Sequence, residues 1–435
     1  SMFFKLLKDA LKVKNVRNKI FFTLFIIFVF RVGTHITVPG INAKSLDQLG
    51  ELPFLNMLNL VSGNAMSNFS VFSMGVSPYI TASIIVQLLQ MDILPKFVEW
   101  SKQGEVGRRK LNQATRYISL VLAFIQSIGI TAGFNTLSSI SLVSTPNVKS
   151  YILIGALLTT GSMIVTWLGE QIADKGFGNG VSMIIFAGII SSIPNAISTI
   201  YEDFFVNVRS SDLISSYIFV ALLIVAVLAI VFFTTFVQQA EYKIPIQYTK
   251  LVQGAPTSSY LPLKINPAGV IPVIFASSIT TIPSTIIPLI SNGHDIPWLT
   301  TLESYLNYQT PIGMVIYAVL IILFSFFYTF VQVNPEKTAE NLQKGASYIP
   351  SVRPGRETEE YLSSLLKKLA TVGSIFLAFI SLTPIIAQQA MNLSSSIALG
   401  GTSLLILIST GIEGMKQLEG YLLKRQYVGF MNTAE

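Results

Sequence analysis

An apolar run long enough to cross a bilayer leaves a chain few ways to fold, because every backbone amide inside hydrocarbon must be bonded within the protein. This chain of 435 residues has ten such runs, at about 20–36, 71–93, 117–134, 151–168, 181–200, 214–237, 268–290, 312–333, 369–387 and 397–412. Charged residues make up 12% and hydrophobic ones 51%, and that charged fraction is about half the soluble-protein average. The expected fold class is an all-α polytopic membrane protein with ten transmembrane helices.

The charges that remain report orientation. Of 29 Lys and Arg, 25 lie in the N-terminal segment, the C-terminal tail and the loops on their side. Lys44, Lys149 and Arg209 lie on the other side, and Arg31 lies near the outer end of span 1. The positive-inside rule then puts both termini in the cytoplasm, in a bacterial cytoplasmic membrane once the resemblance below is added. Residues 1–19, with Phe and Leu on one face and Lys on the other, read as an amphipathic surface helix. A signal peptide is the alternative, but RVGTHITVPG follows the apolar run where a small-x-small cleavage site would be needed. Ten spans split into an N-terminal half, 20–205, and a C-terminal half, 206–412, with a tail at 413–435. Five spans per half give two halves of inverted orientation.

The stretch Val61–Gln90 is a poor transmembrane helix. Ser62, Gly63, Asn64, Ser67, Asn68 and Ser70 crowd its first third, among Ala65, Met66, Phe69, Val71 and Phe72. Gly75 and Pro78 then break it. The expectation is a short half-helix, a hinge at Gly75–Pro78 and a full helix; a re-entrant loop is the alternative. Span 7 carries four prolines between Pro267 and Pro288, and span 10 opens with SSSIALGGTS. Such surfaces suit the wall of a cavity better than lipid. The irregular spans 2 and 7 are each second in their half.

Little here could carry catalysis. The chain has no cysteine, which removes thiol nucleophiles, thiolate metal sites and disulfides, and its two histidines, His35 and His294, are far apart. Gly176-Phe177-Gly178-Asn179-Gly180 has the look of a phosphate loop but follows a membrane helix, so a tight turn into span 5 is the simpler reading. Span interiors hold amides and hydroxyls, among them Thr81, Gln87 and Gln126, in place of the ionisable groups of an ion-coupled transporter. The two glutamines suit bonds between helices. Periodicity alone reads Val76, Ile80, Val181, Ile185, Ile274 and Ile406 as packing positions. Loops at about 238–264 and 334–365 are long enough to be binding surfaces or solvated connectors. No cofactor is expected. A protein channel, a small-solute transporter and an intramembrane enzyme are the three classes to separate.

The strings FSVFSMGVSPYITASIIVQLL, KQGEVGRRKLNQATRY, WLGEQIADKGFGNGVSMIIFAGI, LPLKINPAGVIPVIFASSI, NPEKTAENLQKGASYIPSVRPG and LGGTSLLI resemble the SecY family, central subunits of the bacterial protein-conducting channel. The resemblance runs through essentially the whole chain. It implies an hourglass pore between the two halves, with Val76, Ile80, Val181, Ile185, Ile274 and Ile406 as the apolar ring at its waist. It implies a plug at about 62–72 and a lateral gate between spans 2 and 7, with Thr81 facing Ile282 and with Gln87 and Gln126 nearby. It implies partners: SecE-like and SecG-like small membrane subunits, the SecA motor, the ribosome, signal sequences, nascent polypeptides and lipid. Arg353 in SVRPG would be the key cytoplasmic contact. One departure concerns the tip of loop 6/7, where the family often has an Arg-Arg pair. Here Lys250 remains, while Ala255 and Pro256 occupy the pair's place, which shifts the expected contact toward loop 8/9.

Overall fold

In a computed structural model the described residues are 2–41, 69–90, 94–136, 147–206, 208–249, 258–291, 297–306, 310–391 and 400–432. Each of the ten apolar stretches falls on a helix. The helices are α1 (Met2–Lys12), α2 (Lys14–Gly33), α3 (Ser77–Leu89), α4 (Pro95–Lys102), α5 (Glu105–Thr136), α6 (Val148–Lys175) and α7 (Gly180–Tyr201) in the first part of the chain. The second part has α8 (Leu213–Gln239), α9 (Ile271–Ser291), α10 (Pro297–Leu306), α11 (Pro311–Gln332), α12 (Pro335–Lys344), α13 (Arg356–Met391) and α14 (Gly400–Asn432). Six of these, α5 to α8, α11 and α13, are long and apolar enough to cross a membrane. The short apolar helix is α3, with 13 residues, whereas α9 has 21; these two and α14 fall on the three spans that the sequence marks as irregular.

Helix ends follow local chemistry. The expected single surface helix over 1–19 is instead broken at Val13, whose backbone is extended (φ −90°, ψ 120°), so Lys14 to Lys19 begin α2. Asn147 caps α6 by accepting from the Ser150 amide at 2.8 Å, and Thr310 caps α11 ahead of Pro311. Charged residues extend several helices well past the apolar stretches. α5 starts at Glu105 and α13 at Arg356, and α14 carries the expected tail as far as Asn432.

The spans meet in one apolar core. It joins Phe30 of α2, Val165 and Leu168 of α6, Ile184 of α7, Val273 of α9, Tyr317 and Ile321 of α11, Leu377 of α13 and Leu405 of α14. α8 is the opposite case, with a window of mean hydropathy 3.0 that is only 6% buried. Apolar side chains all round such a helix face lipid.

The fold is mostly helical, as expected, and carries one small sheet. The two long loops fold together into an antiparallel sheet of order β2-β1-β3, with β1 Glu241–Tyr248, β2 Ser258–Lys264 and β3 Ser347–Tyr348. β1 and β2 form a hairpin from Glu241↔Lys264 to Gln247↔Ser258, and β3 joins through Gln247↔Tyr348. The Ala346 carbonyl accepts from the Thr249 amide at 2.8 Å and from its hydroxyl at 2.9 Å. Ile244 and Leu263 of the sheet bury themselves against Leu362, Leu366 and Leu369 of α13, spaced at helical intervals along one face. The strand leaving the hairpin then wedges against the same helix. Gly373 lies so close to Ile265 and Asn266 that an added Cβ would stand 3.0 Å from Asn266 Oδ1. Asn266 is itself buried and donates to the Gly269 carbonyl at 3.2 Å.

Ile244 is fully buried between sheet and helix. Ile244→Ala is expected to cost about 2–5 kcal/mol of local stability. Amide exchange should rise in β1, β2 and β3 while the core amides of α6 and α7 stay protected. Equal protection in the variant sheet would show that the sheet does not depend on this contact.

Candidate functional site

The segment ahead of α3 determines the geometry of the site. Residues 62–68 of the expected plug lie outside the described residues. Phe69 to Phe72, expected as the end of a half-helix, instead form a turn and a bridge, with Thr37 pairing antiparallel to Ser70. The correction has a polar cause. Ser70 Oγ donates to the Gly33 carbonyl at 2.6 Å and accepts from the Phe72 amide at 3.0 Å, an arrangement that competes with helix. The Val71 amide reaches the Ile36 carbonyl at 3.0 Å, and Ser73 Oγ donates to the Ser70 carbonyl at 2.6 Å. Phe72 stacks on Phe30 at 5.8 Å with rings 3° from parallel.

The hinge at Gly75–Pro78 is where the sequence places it. Gly75 has φ +54°, a conformation that suits glycine. Its carbonyl accepts from Ser162 Oγ of α6 at 3.1 Å. Pro78 opens α3 where an amide would have no partner. α3 itself has 13 residues, about 20 Å of helix against a hydrocarbon core of about 30 Å. The turn at 69–76 fills the remaining depth, and Gly161 of α6 has no room for a Cβ against the Val71 carbonyl.

A second turn positions α7. Asn179 Oδ1 accepts from the Val181 amide at 3.1 Å and the Ser182 amide at 3.3 Å, which caps the helix. The Phe177 amide donates to Thr23 Oγ1 of α2 at 3.1 Å, and the Gly178 amide to Gln417 Oε1 of α14 at 2.6 Å. These amides are already used within the protein, which disposes of a phosphate loop here. The cap fixes Val181 and Ile185 one turn apart.

With both turns set, the six candidate ring residues converge. Val76, Ile80, Ile185, Ile274 and Ile406 are buried in the central core, and Val181 is half-buried against it. They come from the 69–76 turn, α3, α7, α9 and α14. Beside them a cleft of about 200 Å³ opens between α3, α7, α9 and α11. Ile80, Val181 and Ile274 line it together with Tyr79, Ser83, Gln87, Asn179, Ser182 and Tyr328. Ile271 and Phe275 complete the lining, so apolar residues of the core adjoin an opening of mixed polar and apolar character.

The remaining candidates are distributed as follows. Thr81 is buried on α3, and its hydroxyl donates to the Ser77 carbonyl at 3.1 Å. Ile282 lies on α9, with its side chain outside the described residues. Gln87 faces the cleft, and its Nε2 is 3.5 Å from Ser83 Oγ on its own helix. Gln126 is buried in α5, which packs on α3. Arg353 is exposed on a turn whose neighbours Ser351 (φ +68°) and Gly355 (φ +97°) are left-handed. Its backbone is held by Thr358, whose Oγ1 donates to the Arg353 carbonyl at 2.7 Å. Lys250 lies outside the described residues. Sequence reasoning missed Thr23, Ser162 and Gln417 and gave Ser70 only as a plug residue, although these four make the long-range bonds of the two turns. It also read past Asn179, although Asn just ahead of an apolar helical run is a capping signal.

The SecY family model matches residues 70–415. The protein translocase subunit SecY of Streptococcus sanguinis is 73% identical to this chain over 435 residues, covering 100% of both. The protein of the same description from Bacillus subtilis is 49% identical, covering 99% of this chain and 100% of its own. Among solved structures, one titled as a protein conducting channel matches at a TM-score of 0.64 and 17% identity, covering 92% of this chain and 91% of its own. Another, on the plug domain of SecY, matches at 0.66 and 18%, with the same coverage of both chains. At that identity the two structures speak for the fold.

Ser70→Ala should leave the Gly33 carbonyl and the Phe72 amide without their partner, at a cost of about 1–3 kcal/mol. The expected readout is faster amide exchange at Val71 and Phe72 and a lower unfolding temperature in detergent. Unchanged exchange would mean that the Thr37 bridge alone holds the turn.

Proposed function

The chain belongs to the SecY family, and from that premise we propose that it is the channel through which unfolded secretory polypeptides cross the bacterial cytoplasmic membrane. It also releases signal sequences and membrane helices sideways into the bilayer. The observation that carries this reading is the convergence of six branched aliphatic residues from five segments beside a cleft lined by both polar and apolar side chains. An apolar constriction coordinates no ion, and water within it loses hydrogen bonds, so it resists conduction by dewetting. The same side chains make no specific bond to a passing chain and so tolerate any sequence.

The other roles follow in the same reading. The 62–72 segment plugs the pore, and α3 and α9 form the two sides of the lateral gate, with Thr81 opposite Ile282. Both termini lie in the cytoplasm, the two five-helix halves are inverted, and the sheet with the Arg353 turn is the docking face for the SecA motor or the ribosome. Small subunits resembling SecE and SecG brace the assembly. The chain performs no catalysis of its own, so the energy comes from its partner. A small-solute transporter is disfavoured because the expected span interiors offer hydroxyls and amides where ion coupling uses ionisable groups.

Ile406→Asn tests the ring. In a water-facing constriction the amide is solvated, so the variant should be as abundant as the parent, while the resting channel leaks ions in planar bilayers. A residue that only packs would instead leave a buried amide costing about 1–3 kcal/mol. A scarce but ion-tight variant would return all six residues to packing.

Arg353→Glu tests the docking face. The side chain is exposed while its backbone is held, so charge reversal should leave abundance unchanged. Attraction toward an acidic partner surface becomes repulsion. Precursor transport and motor or ribosome affinity should both fall; equal values in the variant would remove Arg353 from the interface.

A further inference from the structure

α10 has two apolar faces. Leu299 is buried against the protein and Leu306 is half-buried. Trp298, Leu302 and Tyr305, at helical spacing along another face, are 65%, 44% and 48% exposed. The helix has a single charged residue, Glu303. Two of its hydroxyls bond within the helix, with Thr301 donating to the Pro297 carbonyl at 2.9 Å and Ser304 to the Thr301 carbonyl at 2.8 Å.

The depth of this helix is fixed by α11. Thr310 caps α11 by accepting from the Gly313 amide at 3.1 Å, and its hydroxyl donates to the Ser304 carbonyl of α10 at 2.8 Å. α10 is thus bonded to the first turn of a helix long and apolar enough to span. That end is opposite the sheet, which joins the other ends of α9 and α11. α11 itself exposes Ile312, Val315 and Val319 at helical spacing, starting in the turn to which α10 is bonded. Exposed Tyr201 and Tyr217, at the ends of α7 and α8 away from the sheet, lie at the same boundary.

We propose that α10 is an interfacial anchor, lying in the headgroup layer of the leaflet away from the sheet with Trp298, Leu302 and Tyr305 dipped into the acyl boundary. A short helix with one aromatic-rich face and almost no charge buries that face about 5–10 Å into such a layer. Trp and Tyr prefer this depth because each pairs an apolar ring with a polar group that stays wet. The occupant is lipid because α10 is bonded to the first turn of a spanning helix whose own exposed apolar side chains start in that turn. The anchor fixes the depth of the α9–α10–α11 unit.

The test uses the full chain reconstituted in vesicles, first without and then with the small membrane subunits. The chain has three tryptophans, so Trp100→Phe with Trp167→Phe leaves Trp298 as the single reporter. In vesicles of phosphatidylcholine and phosphatidylglycerol, Trp298 should lose more than twice as much emission to lipid brominated near the headgroup as to lipid brominated near the chain end. Aqueous iodide should quench it little. Strong iodide quenching without lipid quenching would place the face in water and overturn the anchor. Lipid quenching that vanishes when the small membrane subunits are added would show a protein surface and overturn it equally. Because the chain has no cysteine, Leu302→Cys with a spin label gives a second measure in the presence of all three tryptophans. Oxygen should reach the label better than an aqueous nickel chelate; the reverse order would also overturn the proposal.

Discussion

A chain that interrupts a helix at membrane depth must find partners for the amides and carbonyls it frees, and water is not among them. The architecture rests on how this is solved at residues 69–76. Ser70 bonds the end of α2, the bridge to Thr37 pairs the strand-like residues, and Ser162 reaches across from α6 to the Gly75 carbonyl. Each of these bonds is worth little net, about 0.5–1.5 kcal/mol, but leaving its groups unpaired would cost more. Once the turn is held, α3 starts at a set height, and Val76 and Ile80 reach the centre of the bundle.

The second turn applies the same principle from the other side. The amides of Phe177 and Gly178 are spent on Thr23 and Gln417, so one loop ties α2, α7 and α14 together. Polar bonds therefore position the segments, while the point at which they meet is apolar. This division suits a constriction that yields under a passing chain, since aliphatic contacts re-form in many arrangements and the positioning bonds lie elsewhere.

The spanning helices were legible because hydrophobic length is a strong signal, and so were the two irregular ones, through their Gly, Pro and Ser content. The sheet was not. EYKIPIQY buries Ile244 and Ile246 in alternation, but Pro245 argues against a strand, and the pairing with Ser347–Tyr348 spans nearly a hundred residues that no local pattern records. The extensions of α5, α13 and α14 were missed because their charged turns fail a hydropathy window, although Leu362, Leu366 and Leu369 carry a helical stripe. The proposed ring positions rest on family resemblance, since an apolar residue facing a constriction and one facing a core look alike in sequence. The bonds from Ser70 to Gly33 and from Ser162 to Gly75 join residues too far apart in the chain for any local pattern to pair them.

The wedge at Gly373 gives α13 a mechanical character. The helix runs unbroken from the sheet into the bundle over 36 residues, and it is pinched against Ile265 and Asn266 close to its midpoint. From Arg356 to that pivot is about 25 Å of helix; from the pivot to Pro384, where a missing amide lets the helix bend, is about 17 Å. The sheet and the core therefore hold opposite ends of one helix, and the close approach at Gly373 braces it between them.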